Sequence, residues 1–329
     1  LNSVIPGGAH TYSRGDDQYP SNAPSILVKG KGAYVWDPQG NKYLDYGMAL
    51  RAVTLGYANE RVNNAAIGQI NNGVNLTRPS MVELEAAELL ASLIPSAEMV
   101  KFAKNGSNAT SAAVKISRAY TGRKMVCFPR QHPFFSFDDW FIGKTPVNRG
   151  IPKENYQNSL MFDYNDITSL EKCFDEYPDK IACVILEPAT VFDPCPVNCT
   201  CVRTLNKMCK DCPDNKSNFL QKVKELCHKN GALFILDEIV TGFRWHLQGA
   251  QTYFGVEPDL STFGKGMANG FPVAALTGKK EFLKLGGIKE EGAERVFLIS
   301  TTNGAEMVSL GAFIETLNVY KEENVIKHF

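Results

Sequence analysis

The stretch from Gly231 to Gly270, GALFILDEIVTGFRWHLQGAQTYFGVEPDLSTFGKGMANG, constrains this chain more than any other. Leu233, Phe234, Ile235 and Leu236 form a continuous apolar run between Gly231 and the Thr241-Gly242 break. A run this short and this uniform predicts a strand buried on both faces of a parallel sheet. It closes on two carboxylates, Asp237 and Glu238. In open α/β sheets ligands bind beyond the carboxyl ends of the strands, so a carboxylate there can face a bound group. Further on, Val256 to Gly264 leads into Lys265, which Gly266 follows. A lysine flanked by glycines, just past a short apolar segment, leaves space for a bulky partner at its amine.

An aspartate on one strand end and a lysine after the next suit pyridoxal phosphate (PLP). The lysine forms a Schiff base with the aldehyde, and the aspartate pairs with the pyridine nitrogen and keeps the ring an electron sink. The plainer alternative is a buried strand ending in solvated charges, with an ordinary surface lysine. The segments LDEIVTGFR and YFGVEPDLSTFGKGMANGFPVAAL tip the balance. They resemble the core signature of the class III, fold-type I PLP aminotransferases, and within them the glutamate-1-semialdehyde aminomutase-like branch. The resemblance extends over nearly the whole chain. It implies a large α/β domain with a mainly parallel, seven-stranded-type sheet and a small α+β domain built from both chain ends. Lys265 is then the Schiff-base lysine and Asp237 the partner of the ring nitrogen.

Other segments fall into the same register. Asn105-Gly106-Ser107 follows a predicted strand over 99–103 and opens a helix that ends at Thr121-Gly122. A Gly-Ser turn at a helix N-terminus is a natural phosphate cup, because free backbone N–H groups and the helix dipole both favour an anion. Such turns also simply cap helices, but the resemblance places Gly106 and Ser107 in the family's cup, with Asn105 in place of the usual serine. In Cys127-Phe-Pro-Arg-Gln-His-Pro-Phe-Phe135 the resemblance puts His132 where the family stacks an aromatic ring on the pyridine, with Phe134 the choice if the register slips. Ile181 to Leu186 is a second buried strand, and Glu187-Pro188 matches a glutamate-proline pair near the cofactor. Thr301, or its neighbour Thr302, corresponds to a threonine that reaches the PLP phosphate of a neighbouring subunit, which implies a homodimer with interface active sites.

The substrate side departs from the aminomutase. Arg14 falls where that enzyme binds its substrate carboxylate, and an arginine can hold a carboxylate by two parallel hydrogen bonds. Ala49 and Leu50, however, replace a small residue and a tryptophan, and Arg51 adds a charge to the substrate region. Two reactions follow as expectations. One is transamination from a small-molecule amino donor to a keto or aldehyde acceptor, such as a keto sugar; the other is the intramolecular 2,1-aminomutase reaction. A non-catalytic binding protein on the same fold is the alternative of another class.

The chain divides into residues 1–50, an N-terminal part of the small domain, a PLP-binding domain over 51–310, and the start of a C-terminal small domain over 311–329. Relatives continue beyond a point equivalent to Phe329, so the remainder of that domain is expected to be absent here. An insertion over 193–215 carries Cys195, Cys199, Cys201, Cys209 and Cys212, five of the nine cysteines. The CxxC and the dense spacing suit structural zinc, with disulfides or free thiols as alternatives. Thirty-five Lys and Arg balance 35 Asp and Glu, with no basic block, so nucleic acid and anionic membrane are not expected partners. No run approaches the ~18 apolar residues of a membrane span. With no secretory features, a reducing cytoplasm is expected.

Three further elements are predicted: a hairpin over 32–45 turning at Asp37-Pro-Gln-Gly40, a helix from Ser80 to Ile94, and an antiparallel strand over 272–277. The helix has Ser80 as N-cap and Leu84, Ala87, Leu90, Ala91 and Ile94 on its apolar face.

Overall fold

The computed structural model describes residues 1–190, 192–195, 218–289 and 294–329. Its centre is a seven-stranded sheet in the order β4-β10-β9-β8-β7-β5-β6. The strands are β4 (Met99–Ala103), β5 (Met125–Pro129), β6 (Ser159–Phe162), β7 (Ile181–Leu186), β8 (Leu233–Glu238), β9 (Leu260–Phe263) and β10 (Ala274–Gly278). The pairs from β9 through β8, β7 and β5 to β6 are parallel. β10 runs antiparallel to both its neighbours, β4 and β9. The predicted buried strand is thus β8, and the predicted antiparallel strand is β10. A separate three-stranded antiparallel sheet holds β1 (Lys29–Lys31), β2 (Tyr34–Trp36) and β3 (Lys42–Leu44). Its β2–β3 turn is tied by Asp37, whose Oδ1 accepts from the Gln39 and Asn41 amides at 3.0 and 2.8 Å.

Every residue of β7 and β8 is buried. The reason lies in the alternation of side chains. Leu233 and Ile235 join Cys183 and Ile185 in one core, with Ala112, Ala113 and Ile116 of the helix Gly106–Thr121. Phe234 and Leu236 join Val184 and Leu186 in another, with Leu170 of Ile167–Glu176 and Val223 of Phe219–Lys229. A strand covered on both faces needs apolar residues at consecutive positions, and each such side chain contributes about 1.5–3 kcal/mol on burial.

A third core lies where the helix Met307–Glu322 packs with Glu60–Asn71, Met81–Leu93 and the segment after Lys265; Met267, Ala268, Leu310 and Phe313 meet there. The Met81–Leu93 helix starts as predicted, with Ser80 Oγ accepting from the Glu83 amide at 3.3 Å. Its buried face matches the predicted one at Leu90 and Ile94 and differs from it elsewhere. Val82, Ala86, Leu90 and Leu93 are inside, while Leu84 is 49% exposed. No helix among the described residues is long and apolar enough to cross a membrane.

Candidate active site

The parallel strands deliver chemistry-bearing residues to one edge of the sheet. Asp237 and Glu238 end β8, Glu187 follows β7, His132 lies three residues past β5, and Lys265 lies two past β9. The Gly106–Thr121 helix starts three residues after β4. These are the carboxyl ends of the parallel strands, where open α/β sheets place their ligands.

Asp237 is buried, and its Oδ1 accepts from the Ile239 amide at 3.0 Å and from Thr262 Oγ1 at 2.8 Å. Among the described residues no protein donor reaches Oδ2. Burial pushes its carboxyl pKa up to about 6, against the pull of these two bonds and of the Lys265 ammonium. Glu187 is pushed further, to about 8, by burial and then by the charge of Asp237; Lys265 and Arg51 oppose the rise. The Lys265 amine goes the other way. Burial lowers its proton affinity and the Arg51 cation lowers it again, while Asp237 and Glu187 resist. Two carboxylates and two cations therefore sense one another across a single site.

Lys265 is held in a left-handed conformation, φ +43°. For a residue with a Cβ this costs about 1–2 kcal/mol, so neighbouring contacts must hold it there. Asn269, also left-handed, is one such clamp. Its Oδ1 accepts from the Thr54 and Leu55 amides at 2.9 and 2.8 Å, and its Nδ2 donates to the Gly56 carbonyl at 3.0 Å. Arg244 is the other. Its guanidinium donates to the carbonyls of Val240 and Arg51. A Cβ at Gly266 would come within 2.9 Å of Thr54 Cγ2 and 3.2 Å of that guanidinium, so a side chain there would force its neighbours to shift. Arg51 is thereby tied to the lysine segment. Met48 to Arg51 all have positive φ, a left-handed turn whose start is capped by Asp45 Oδ1. The exposed guanidinium of Arg51 carries its charge to Lys265 and Glu187.

The helix start has the form of an anion cup. Asn105 Oδ1 accepts from the Asn108 amide at 3.0 Å. Helix geometry leaves the earlier N–H groups, at Gly106 and Ser107, without intrahelical acceptors. Ser107 Oγ accepts from the Phe137 amide at 3.1 Å. Ile239 lies against both Gly106 and Gly264; a Cβ on either would come within 3.1 Å of its Cδ1. His132 is buried, with Nδ1 accepting from the Glu187 amide at 3.1 Å. Phe134 is 50% exposed and packs edge-on against Phe141, so burial favours His132 over Phe134 as the inward residue.

The structure brings Lys265, Asp237, Glu187, His132 and Arg51 together and sets the Asn105–Ser107 cup at the same sheet edge. Arg14 is exposed on a short 3-10 turn, where its charge acts on Tyr57. Thr301 and Thr302 are exposed, and Asn75 Nδ2 donates to the Thr302 carbonyl at 2.8 Å. Of the cysteine cluster, Cys195 is half-buried; Cys199, Cys201, Cys209 and Cys212 lie outside the described residues. Among the described residues no group of three His, Cys, Asp or Glu side chains could hold a metal ion. Sequence reasoning assigned no role to Thr262, Ile239, Arg244 or Asn269, although all four lie within the opening stretch.

Known proteins resemble this chain in sequence and in fold. The chain is 34% identical over 290 residues to a glutamate-1-semialdehyde 2,1-aminomutase of Wigglesworthia glossinidia brevipalpis, covering 85% of this chain and 62% of that protein. It is 34% identical over 304 residues to the enzyme of the same name from Methanococcus maripaludis, covering 89% and 66%. The chain thus spans less than two thirds of the length of these curated relatives. Among solved structures, the PLP form of the FumI protein of Sphingopyxis sp. MTA144 superposes with a TM-score of 0.82 at 29% identity, over 98% of this chain and 71% of that one. An omega-transaminase from Sphaerobacter thermophilus gives 0.81 at 26% identity, over 97% and 70%. The family model for class-III aminotransferases matches residues 16–193 and 213–329, and the chain belongs to that family.

Proposed function

We propose that this chain carries the catalytic centre of a PLP-dependent aminotransferase, which moves an amino group from a small-molecule donor to a keto or aldehyde acceptor. The observation that carries this reading is the pairing of Asp237 and Lys265 at the ends of adjacent parallel strands. Among the described residues no donor reaches the second carboxylate oxygen of Asp237, and the Lys265 amine has a lowered proton affinity.

The residues fit the cofactor. Asp237 Oδ2 would hold the ring nitrogen, the N–H groups of Gly106 and Ser107 the phosphate, His132 one face of the ring, and Lys265 Nζ the aldehyde. Bound there, PLP supplies an electron sink for the carbon from which a proton is removed. Burial and the Arg51 cation favour the neutral Lys265 amine, the form that can take that proton on Nζ and return it one atom away. Arg51 binds the substrate carboxylate, which two parallel N–H bonds can orient. Glu187, with its raised pKa, enters the site with its proton or gives it up as the charge around Lys265 changes. The exposed Thr301 loop is the face we assign to a second copy of the chain, and light scattering on the purified protein tests that homodimer. A cytoplasmic location belongs to the same reading.

The test is a visible spectrum of the purified full-length protein, before and after borohydride, for wild type and Lys265→Ala. A yellow band that borohydride abolishes, missing in the variant, supports the reading; a wild type that stays colourless with added PLP overturns it. A second reading, intramolecular transfer as in the aminomutases, is favoured by the names of the two relatives at 34% identity. In that reading Arg14 contributes to carboxylate binding. A 15N-labelled donor separates the two. Label appearing in the product of a keto-sugar or other keto acceptor supports transamination, and nitrogen retained within one molecule supports the aminomutase reaction.

A further inference from the structure

His132 has one ring nitrogen assigned and one left over. A backbone amide only donates, so Nδ1, which accepts from the Glu187 N–H at 3.1 Å, carries no proton. A neutral imidazole must then carry its proton on Nε2. The ring is 3% exposed, and burial takes its pKa down to about 3, so it stays neutral. Nε2 is buried and has no hydrogen-bond partner among the described residues. Its aromatic neighbours do not supply one. The Phe135 ring, its centre 5.9 Å away, carries no polar atom, and Tyr164, at 4.8 Å, donates its hydroxyl proton to the Pro188 carbonyl at 2.5 Å. Buried polar groups in folded proteins are almost always satisfied, and an orphan at a ligand site points to the ligand.

We propose that His132 serves this site as a neutral hydrogen-bond donor of fixed tautomer, with its Nε2–H bound to an oxygen atom of the ligand. A phenylalanine at this position would offer the same flat face without the donor. The acceptor is an anionic or carbonyl oxygen, which either the cofactor or the substrate can provide. The inference rests on the cofactor reading above, since that reading puts a ligand against this ring.

The experiment is NMR of histidine-selective 15N-labelled full-length protein, with His132→Phe used to assign the signal. Spectra are taken free, with PLP, and with PLP plus an unreactive carboxylate analogue of an amino acid. The free protein should show Nε2 protonated, Nδ1 bare, and no titration between about pH 5 and 8, where an ordinary imidazole titrates. The Nε2–H proton should move downfield on loading. A move with PLP alone assigns the acceptor to the cofactor, and a move only with the analogue assigns it to the substrate. His132→Phe should bind the same ligand about tenfold more weakly, a loss of about 1.4 kcal/mol, while the free variant keeps its melting temperature. A protonated Nδ1, or an Nε2–H signal unmoved by either ligand while the Lys265 absorption band forms, overturns the donor role alone. A wild type that never forms the band overturns the cofactor reading, and the donor role falls with it.

Discussion

Asp237 and Thr262 are register partners on the neighbouring parallel strands β8 and β9, and the Thr262 hydroxyl donates to Asp237 Oδ1 at 2.8 Å. The bond lies three residues before Lys265, so one short strand both orients the carboxylate and delivers the amine. The Ile239 amide donates to the same oxygen, and no donor among the described residues reaches Oδ2.

Replacing Thr262 by valine keeps the shape and removes the hydroxyl. One of the two bonds favouring the charged form is lost, so the Asp237 carboxyl should titrate above its present value of about 6. A hydrogen bond to a charged group contributes about 1.5–3 kcal/mol, so PLP affinity should fall by tenfold or more. Absorbance titration of the free protein with PLP measures this, and Thr262→Ser should restore most of it. Unchanged affinity in Thr262→Val would remove Thr262 from the site.

Glu187 gives a pH prediction whose sign is fixed by its raised pKa. The folded protein holds this proton up to about pH 8, whereas the unfolded chain releases it near the ordinary value of 4.5. Between those values the native state binds more protons, so the stabilisation is complete below the lower pKa and is lost as pH rises through the upper one, at up to about 1.4 kcal/mol per unit. Lys265, with its affinity lowered, acts in the opposite sense at higher pH. Glu187→Gln removes only the first contribution. Urea unfolding of the cofactor-free proteins should therefore show the variant gaining on wild type between pH 5 and pH 9. Parallel profiles would mean that Glu187 is ionised in the fold throughout.

What could be read from the sequence was what local chemistry decides. β8 was visible because both its faces are covered, which leaves a four-residue apolar run; the helix at Gly106 was visible because Asn105 and Gly122 cap its two ends. The apolar face of Met81–Leu93 was misplaced at Leu84 and Ala87 because leucine and alanine occur all round that helix, so its tertiary neighbours choose Val82 and Ala86 over them. The clamps were invisible for a different reason. Asn269 bonds to Thr54 and Arg244 to Arg51 across roughly two hundred residues of chain, and no spacing rule joins such positions. The choice between His132 and Phe134 turned on burial, which a segment with four aromatic or imidazole rings does not reveal.

Asn269 separates two costs that usually arrive together. It supplies three side-chain hydrogen bonds to residues 54–56 and adopts a left-handed conformation, φ +47°. Asn269→Gly loses the bonds but tolerates the conformation, and Asn269→Ala loses both. At about 1 kcal/mol per bond, the glycine variant should lose roughly 2–3 kcal/mol and the alanine variant about 1 kcal/mol more. Denaturant unfolding of the free protein gives both numbers. Two variants of equal stability would mean that the left-handed turn carries no strain.

Arg51 sets the proton affinity of Lys265 from outside. Its guanidinium is exposed, yet after burial it is the largest influence lowering the lysine's affinity, and Arg244 holds its backbone in place. Removing the charge in Arg51→Ala should raise the Lys265 pKa. Condensation of PLP with the free protein needs the neutral amine, so its rate reports this directly. At neutral pH the variant should load more slowly, by up to about tenfold, and the two rates should converge at high pH where both amines are neutral. Arg51→Lys keeps the charge and should follow wild type in this assay. An Arg51→Ala profile superimposed on wild type would sever Arg51 from the lysine.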